Sequence, residues 1–404
     1  MSKINELIKN LCPNGVEYKK ICDVCNVVGR IGFRGYKRED QVEKGNGAIS
    51  LSPSNIINGK INYNECTYIS WDKYNESPEI MVNEGDVIFC KTASVGKTCY
   101  IENMPEKATI NPQLILLKNI SINSKYLSYC LQTRDFQIKA NSIKGLGTIP
   151  TLSQKDFNEL TVPIPPLEVQ EEIVRILDKF DKLEAELETE LEARKSQYEF
   201  WRGNLINVDA QKYKLNEIAN IYDGTHSTPD YRLSGVQFIS VENINDIYNS
   251  NKFISKEDYD KYKIKPTIND VFMTRIGSVG KCAVFEKRVD LAYYVSLALI
   301  RPNNNIISSR YLKYYLESRI GRDELYKKTL THAVPIKINK DDIGKINVIV
   351  PSKEEQRRIV DILDKFDALV NDITEGIPAE IELRRQQFEY YRNKLLSFEE
   401  LNNE

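Results

Sequence analysis

The segment IVRILDKFDKLEA occupies residues 173–185, and a near copy, IVDILDKFDALVN, occupies residues 359–371. A second matched pair follows, RKSQYEFWRGNL at 194–205 and RRQQFEYYRNKL at 384–395. In both segments apolar side chains recur at alternating steps of three and four, the spacing of an amphipathic helix with a heptad seam. Internal copies of this kind indicate a duplicated unit. The chain is therefore predicted to run globule, helix, globule, helix.

The two helical segments need a partner, because an isolated helix would leave its apolar seam in water. We expect them to pair as an antiparallel coiled coil that relates the two globules by a pseudo-twofold axis. The alternative is that each helix packs only on its own globule. The second segment has four additional residues, with Gly376 and Pro378 among them, so a kink or break is expected there. The predicted parts are a first globular domain, a first spacer, a second globular domain and a second spacer, at 1–165, 166–208, 209–350 and 351–404.

The globular segments also match each other. GDVIF at 85–89 aligns with NDVFM at 269–273, and each is followed by the same tetrapeptide, SVGK. Pro150 aligns with Pro335. Strand-sized apolar runs alternate with helical patterns, which predicts two similar α+β domains. Other stretches of the two globules differ, as two sites of different specificity require, although drift after duplication would also produce such differences.

Charge is distributed unevenly along the chain. Residues 166–205 carry a net charge of −5, and residues 351–404 carry −5 as well, which leaves +8 for the remainder of a chain of net charge −2. Acidic helices and basic globules are compatible with DNA contact confined to the globules. Ordinary surface charge is the alternative interpretation.

Composition and short motifs limit the other classes of function. The N-terminus lacks the apolar core of a signal peptide and the apolar runs are strand-sized, so a cytoplasmic protein is expected. Seven of the eight cysteines lie in the first half, which argues against a disulfide or zinc framework shared by the repeats. A phosphate-binding loop would need a glycine where Lys91 stands, and NPQL at 111–114 lacks the residues of an amino-methyltransferase motif. No catalytic centre and no metal are therefore expected in this chain.

The entries to the two helices carry a family resemblance. VPIPPLEVQEEIVRILDKFD at 162–181 and VIVPSKEEQRRIVDILDKFD at 348–367 closely resemble the linker entry of type I restriction-modification specificity subunits. LCPNGVEYKKICDV at 11–24 and GLGTIPTLS at 145–153 are also similar to that family. The second copy departs from the pattern because it lacks the double proline and has THAVPIKIN at 331–339.

The resemblance implies a DNA specificity subunit that is not itself catalytic. Its two target-recognition domains would each read one half of a bipartite double-stranded DNA sequence, and its paired helices would set the spacing. Two methyltransferase subunits, which bind S-adenosylmethionine, would dock on the helices, and restriction subunits with ATP and Mg would join where present. A modification-only adenine methyltransferase system and a coiled-coil scaffold that binds proteins only are the alternatives.

Candidate DNA contacts are the basic and small polar residues of the globules that lie near glycines or in polar loops. They are Arg30, Arg34, Lys37, Arg38, Lys91, Ser94, Lys97 and Lys144 in the first globule, and Thr225, His226, Arg232, Arg275, Ser278, Lys281, Lys327 and Lys328 in the second. The candidate spacer and subunit-docking residues are the apolar and aromatic positions of the two helices. They are Ile173, Leu177, Phe180, Leu183, Tyr198, Trp201, Ile359, Leu363, Phe366, Leu369, Phe388 and Tyr391.

Overall fold

The computed structural model describes residues 2–30, 35–145, 149–372 and 374–401. Their contacts divide the chain into two compact units. Unit 1 is Met1–Glu186 with Ile381–Glu404, and unit 2 is Leu187–Glu380. Each unit therefore combines one globular segment with parts of both helical segments. The four domain boundaries drawn from the sequence stay a prediction.

Unit 1 alternates short strands with short helices before one long helix. Its helices are α1 (Ser2–Leu11), α2 (Ile21–Val24), α3 (Trp71–Asn75), α4 (Ser124–Leu131), α5 (Arg134–Ser142), α6 (Gln154–Asn158) and the first part of α7 (Leu167–Ile206). Its strands are β1 (Glu17–Lys20), β2 (Asn26–Gly29), β3 (Gln41–Val42), β4 (Gly47–Leu51), β5 (Ile56–Ile57), β6 (Lys60–Ile61), β7 (Thr67–Ser70), β8 (Val87–Cys90), β9 (Thr98–Tyr100), β10 (Ala108–Ile110), β11 (Leu114–Lys118) and β12 (Thr161–Ile164).

Unit 2 repeats this order with fewer strands. Its strands are β13 (Gln211–Lys214), β14 (Ala219–Asp223), β15 (Val236–Ile239), β16 (Phe253–Ile254), β17 (Val271–Thr274), β18 (Cys282–Val284), β19 (Leu291–Tyr293), β20 (Leu297–Pro302) and β21 (Asn347–Val350). Its helices are α8 (Leu215–Ile218), α9 (Lys256–Asp260), α10 (Ser309–Glu317), α11 (Arg319–Tyr326), α12 (Lys340–Ile343) and α13 (Lys353–Asn371). Helix α14 (Ile377–Leu395) begins in unit 2 and continues into unit 1.

The sheets of the two units have the same topology. The antiparallel order β2-β11-β8-β9 in unit 1 is repeated as β14-β20-β17-β18 in unit 2, and the ribbon β1-β12 is repeated as β13-β21. In the third sheet of unit 1, β4 pairs parallel with β10 and antiparallel with β7. In unit 2, β15 pairs in the same way, parallel with β19 and antiparallel with β16. The mixture of helices and antiparallel sheets confirms the predicted α+β class and the internal repeat.

A buried glutamine attaches each linker helix to its own unit. Gln170 donates to the carbonyl oxygen of Pro165 at 2.8 Å and accepts the backbone N–H of Asn123 at 3.0 Å. In unit 2 Gln356 makes the same pair of bonds, at 2.9 Å each, to the carbonyl of Pro351 and the N–H of Ser308. Because a buried amide needs both partners, these bonds fix the start of each helix relative to its sheet.

The paired aspartates of the repeated LDKFD sequence provide a second attachment. The hydroxyl of Tyr129 on α4 donates to Asp178 at 2.7 Å and to Asp181 at 2.9 Å. On α10 the hydroxyl of Tyr314 donates to Asp364 at 2.6 Å. The repeated LDKFD sequence is thus used as an attachment point as well as a helical seam.

Within unit 1 the two linker segments pack against each other. The rings of Phe180 and Tyr391 stack at a centroid distance of 5.3 Å, and Glu184 accepts from Arg385 at 2.6 Å. From Phe180 to Glu184 along α7, the contacted residues run backward along α14 from Tyr391 to Arg385, so this local packing is antiparallel. Within unit 2 Tyr198 stacks on Phe366 at 6.3 Å. These contacts agree with the predicted pairing of the helices.

The seam residues are not all buried alike. Ile173 and Leu177 belong to the core of unit 1, and Ile359 and Leu363 to that of unit 2. The linker helices therefore pack on their own units as well as on each other, which combines the two alternatives left open by the sequence. A helix break is found at Gly376, since α13 ends at Asn371 and α14 begins at Ile377, whereas Pro378 is the second residue of α14 and does not interrupt it. The side chains of Leu183, Trp201 and Leu369 are exposed.

Candidate nucleic-acid interface

The turn between β8 and β9 carries the first group of predicted contacts. Ala93 and Gly96 adopt left-handed backbone angles, with φ of 64° and 102°. At this φ an L side chain at position 96 would be strained, and its β-carbon would also have to displace the side-chain oxygen of Gln137, 1.9 Å away, so glycine is favoured there. This tight turn holds Ser94 and Lys97 at the exposed end of the hairpin, while Lys91 at its base is partly buried.

Backbone hydrogen bonds join this turn to the loop that precedes α6. The N–H of Ala93 donates to the carbonyl of Pro150 at 2.9 Å, and the N–H of Leu152 donates to the carbonyl of Lys91 at 2.8 Å. The same loop contains Lys144, whose ammonium donates to Asn141 at 2.7 Å. Two groups of candidates that are about 50 residues apart in the sequence are thus brought to one end of the sheet.

Unit 2 builds the same arrangement from different residues. The N–H of Gly277, at φ 81°, donates to the carbonyl of Ile336 at 2.8 Å, and the N–H of Ile338 donates to the carbonyl of Arg275 at 2.9 Å. Leu330 closes the loop by donating its N–H to the carbonyl of Lys337 at 2.7 Å. The residue equivalent to Pro150 is therefore Ile336. The sequence alignment of Pro150 with Pro335 is wrong by one position, because the second loop differs in length.

Several candidates of unit 1 are held by internal bonds. Arg30 is buried, its guanidinium donates to the carbonyl of Ile110 at 3.1 Å, and burial lowers its pKa. Burial also lowers the pKa of the Lys91 ammonium. The Lys97 ammonium donates to the carbonyls of Pro53 at 3.1 Å and Ile56 at 3.3 Å. The bonds of Arg30 and Lys97 make these two cations part of the scaffold, and Lys91 is partly buried.

The other candidates of unit 1 are more accessible. Lys37 and Arg38 lie on the surface, and Lys37 is 3.5 Å from Glu39. Ser94 is exposed at the tip of the turn. Arg34 lies outside the described residues.

The loop after β14 brings further candidates of unit 2 to the same turn. The Arg275 guanidinium is buried and forms an ion pair with Asp223, the last residue of β14. Three residues later His226 is exposed, with its ring nitrogen 4.0 Å from that carboxylate. Thr225 pairs with Tyr294 through its backbone, and the Thr225 hydroxyl donates to the carbonyl of Ser227 at 3.2 Å. Thr225, His226 and Arg275 therefore form one cluster.

The remaining candidates of unit 2 are exposed. Ser278 and Lys281 lie on the turn, and Lys328 lies beyond α11. Lys327 pairs with Glu324 at 2.6 Å. Arg232 is on a separate loop that pairs with Phe253 through the backbone. That all these residues contact DNA stays a prediction.

The exposed aliphatic side chains beside both turns were not among the predicted contacts. Ile149 stands next to the turn of unit 1, and Leu330, Val334 and Ile336 stand next to that of unit 2. The sequence feature that could have indicated them is the presence of aliphatic residues in a polar loop, as in LTHAVPIKI at 330–338. The same pattern is equally consistent with residues buried in the core.

Comparison with known proteins agrees with this geometry. The family described as the type I restriction modification DNA specificity domain matches residues 13–193 and again residues 207–383. The chain belongs to this family. Its function is DNA target recognition within a type I restriction-modification complex. Over 293 residues it is 33% identical to the type I restriction enzyme EcoR124I/EcoR124II specificity subunit of Escherichia coli. The matched region covers 68% of this chain and 70% of that protein.

Solved structures show the same fold. A chain from a study of complex assembly and conformational transition of the type I restriction-modification system superposes with a TM-score of 0.61 at 17% identity, covering 95% of this chain and 98% of that one. The type I S subunit from M. genitalium superposes with a TM-score of 0.51 at 15% identity, covering 95% and 96%. Within the described residues, no helix of this family member is long and apolar enough to cross a membrane.

Proposed function

We propose that each unit reads one half of a bipartite DNA target with the turn end of its four-stranded antiparallel sheet. The observation that carries this proposal is the repeated pair of hydrogen bonds that joins a serine-containing turn to a lysine-containing loop. The same framework holds different side chains in the two units, which is what two half-sites of different sequence require.

The exposed residues suit the two tasks of DNA recognition. Lys281 and Lys328, together with the partly exposed Lys144, would contact phosphates, which position the protein without reading sequence. Ser94 and Ser278 on the turn tips would face base edges, where a hydroxyl donates or accepts. Buried Arg30 and Arg275 would instead hold the loops in place.

We propose further that α7, α13 and α14 set the distance between the half-sites and dock two methyltransferase subunits. Leu183, Trp201 and Leu369 support this, because they leave apolar surface exposed on the helices. A contiguous apolar patch on a protein commonly marks a contact with a partner, and the proposal is that these side chains contribute to such patches. S-adenosylmethionine would be bound by the methyltransferase, with ATP and Mg bound by restriction subunits where present, and this chain would itself be non-catalytic.

Two alternatives differ in their partners. A modification-only system would use the same chain without restriction subunits, and the difference lies in neighbouring subunits. A scaffold that binds only proteins would account for the helices, but it gives no role to the repeated turn and loop with their exposed lysines.

The test is to express the chain with its methyltransferase partner and to map the modified adenines by sequencing. We expect a split motif with two defined halves and a fixed gap. Deletion of residues 376–379, the four extra residues of the second linker, is expected to change the gap and leave both halves intact. Pro378→Ala keeps the length and should keep the gap. A continuous motif, or a gap insensitive to the deletion, would refute the corresponding part of the proposal.

A further inference from the structure

The loop Leu330–Ile336 of unit 2, called here the apolar loop, exposes aliphatic side chains at the proposed DNA-facing end. Val334 is 100% exposed, Leu330 45% and Ile336 43%. None of the three belongs to the apolar clusters found among the described residues. Exposing several aliphatic groups in one short loop costs free energy in water unless a partner covers them.

This loop is held firmly. Leu330 and Lys337 pair through the backbone, Ile336 accepts from the N–H of Gly277, and the N–H of Ala333 donates to the carbonyl of Leu330 at 3.2 Å. These bonds fix the direction in which Val334 points, because Ile336 is hydrogen-bonded to the turn at Gly277 and the two ends of the loop, Leu330 and Lys337, are hydrogen-bonded to each other. An aliphatic group held in place in this way is suited to a contact that reads shape.

Unit 1 has a counterpart in spite of its different sequence. Ile149 is 59% exposed and stands beside Pro150, whose carbonyl accepts from the turn as that of Ile336 does. Ile149 corresponds to Pro335, one position after Val334, so both units expose an aliphatic side chain in this loop although not at the same position. A feature kept by both units points to a task that both units perform.

The surroundings of the apolar loop indicate the partner. Lys328 and Lys337 are exposed at its two ends, Lys281 is exposed on the neighbouring turn, and His226 is exposed on the adjacent loop. Lysines around an aliphatic centre match a surface whose rim is anionic and whose centre has apolar groups. The major groove of DNA has both, since phosphates line it and each thymine presents its C5-methyl group there.

We infer that Val334, with Leu330 and Ile336, reads thymine by contact with its C5-methyl group in the major groove, and that Ile149 does so in the other half-site. This inference rests on the proposed function and adds a specificity-determining residue that is neither charged nor polar. It names the base that is read at these positions, which the proposal of two half-sites does not.

The experiment measures binding of the complex with its methyltransferase to duplexes in which each thymine of the target is replaced in turn by deoxyuridine. Deoxyuridine pairs with adenine in the same way and lacks only the methyl group. We expect at least one replacement in the half-site read by unit 2 to weaken binding several-fold. Val334→Ser should weaken binding to the thymine target by a similar factor. It should also abolish the difference between thymine and uracil at that position, because the protein change and the DNA change each remove the same contact.

Val289→Ser is the matched control. Val289 is also partly exposed on unit 2, but it follows β18 and so lies at the end of the sheet opposite the turn. It should bind both duplexes like the unchanged chain. Because Val334 is fully exposed, its replacement leaves the core intact, and the deoxyuridine series with the unchanged chain needs no variant at all.

The inference is overturned if no deoxyuridine replacement weakens binding, if the half-site contains no thymine, or if the losses from Val334→Ser and deoxyuridine simply add. It is also overturned if Val334→Ser releases a protein subunit from the complex, which would make the apolar loop a protein-docking surface. In each of these cases specific binding by the unchanged complex would leave the proposed function standing. Loss of all sequence preference in the unchanged complex would instead refute the proposed function.

Discussion

Units 1 and 2 share the same sheet framework and differ in the strands and side chains beside it. The sheet order, the glutamine at the helix entry and the hydrogen bonds between turn and loop recur in both. Unit 1 adds the edge strand β3 and the hairpin β5-β6, for which the described residues of unit 2 contain no equivalent strands. The comparison shows that duplication kept the parts that position the turn and the loop proposed to contact DNA and changed the parts beside them.

The hairpin accounts for one functional difference between the turns. In unit 1 the carbonyls of Pro53 and Ile56, at the entry to the hairpin, accept from Lys97. Lys281 occupies the equivalent position of unit 2, and among the described residues its ammonium has no hydrogen bond or ion pair. The same lysine is thus structural in one unit and available to a ligand in the other.

The largest expected effect tests whether the two units have separate cores. Leu177 and Leu363 are fully buried at matched positions, so replacing either by alanine should lower the free energy of unfolding of its own unit by about 3 kcal/mol. The two tryptophans, Trp71 in unit 1 and Trp201 in unit 2, report the units separately in denaturant unfolding if each is studied with the other replaced by phenylalanine.

The matched controls are Leu183→Ala and Leu369→Ala. These side chains are exposed in their units, so each change should cost less than about 1 kcal/mol. Equal shifts of both tryptophan transitions by Leu363→Ala would show that the units unfold as one, which would break the comparison.

A smaller effect distinguishes the two lysines of the turns. Lys281→Ala should reduce the slope of log affinity against log salt by about 1, the change expected for one lost phosphate contact. Lys97→Ala should change the slope by clearly less, because its ammonium is already bonded to two carbonyls. Titrations of target DNA at several salt concentrations, with the methyltransferase present, measure both. Equal slopes for the two variants would mean that the internal bonds of Lys97 do not hold in the complex.

The smallest effect concerns matched positions that differ in charge. Glu317 in unit 2 corresponds to Gln132 in unit 1, and each lies near an arginine, the buried Arg202 or the partly buried Arg392. Burial raises the pKa of the Glu317 carboxyl above its usual 4.5, while Lys313, the N–H of Cys282 and Arg202 oppose the shift and Asp367 adds to it. The folded chain therefore keeps this proton to higher pH than the unfolded chain does.

The free energy of unfolding then falls as the pH rises from 4.5 through the folded pKa, and the loss persists above it. Glu317→Gln should remove this loss, so its advantage over the unchanged chain should grow as the pH rises from 4.5 to the folded pKa, stay constant above it, and vanish below about pH 4. Unfolding followed at Trp201 across this range provides the measurement. Gln132→Glu is the reverse control and should introduce the same pH dependence at Trp71. A constant difference at all pH values would contradict the argument.

The sequence predicted the repeat well because its signals are local. Gln170 and Gln356, the LDKFD aspartates and the break before Ile377 were all visible as copies or as helix-breaking residues, and the structure gives each a role. The candidate site was predicted less well, because charge alone does not say whether a cation faces water or a carbonyl. Arg30 and Arg275 looked like surface arginines and are buried.

By itself, the sequence determined the family, the duplicated order of parts and the positions of the linker helices. The order of parts and the helix positions follow from periodicity and repetition, which the order of residues records directly, and the family follows from the resemblance of the helix-entry motifs. Only the tertiary structure decided which cations are bonded internally and that Ile149 and Val334 stand exposed beside the turns. Burial and hydrogen bonding depend on residues far apart in the chain, such as Lys97 with Pro53 and Gly277 with Ile336, and no local pattern encodes those distances.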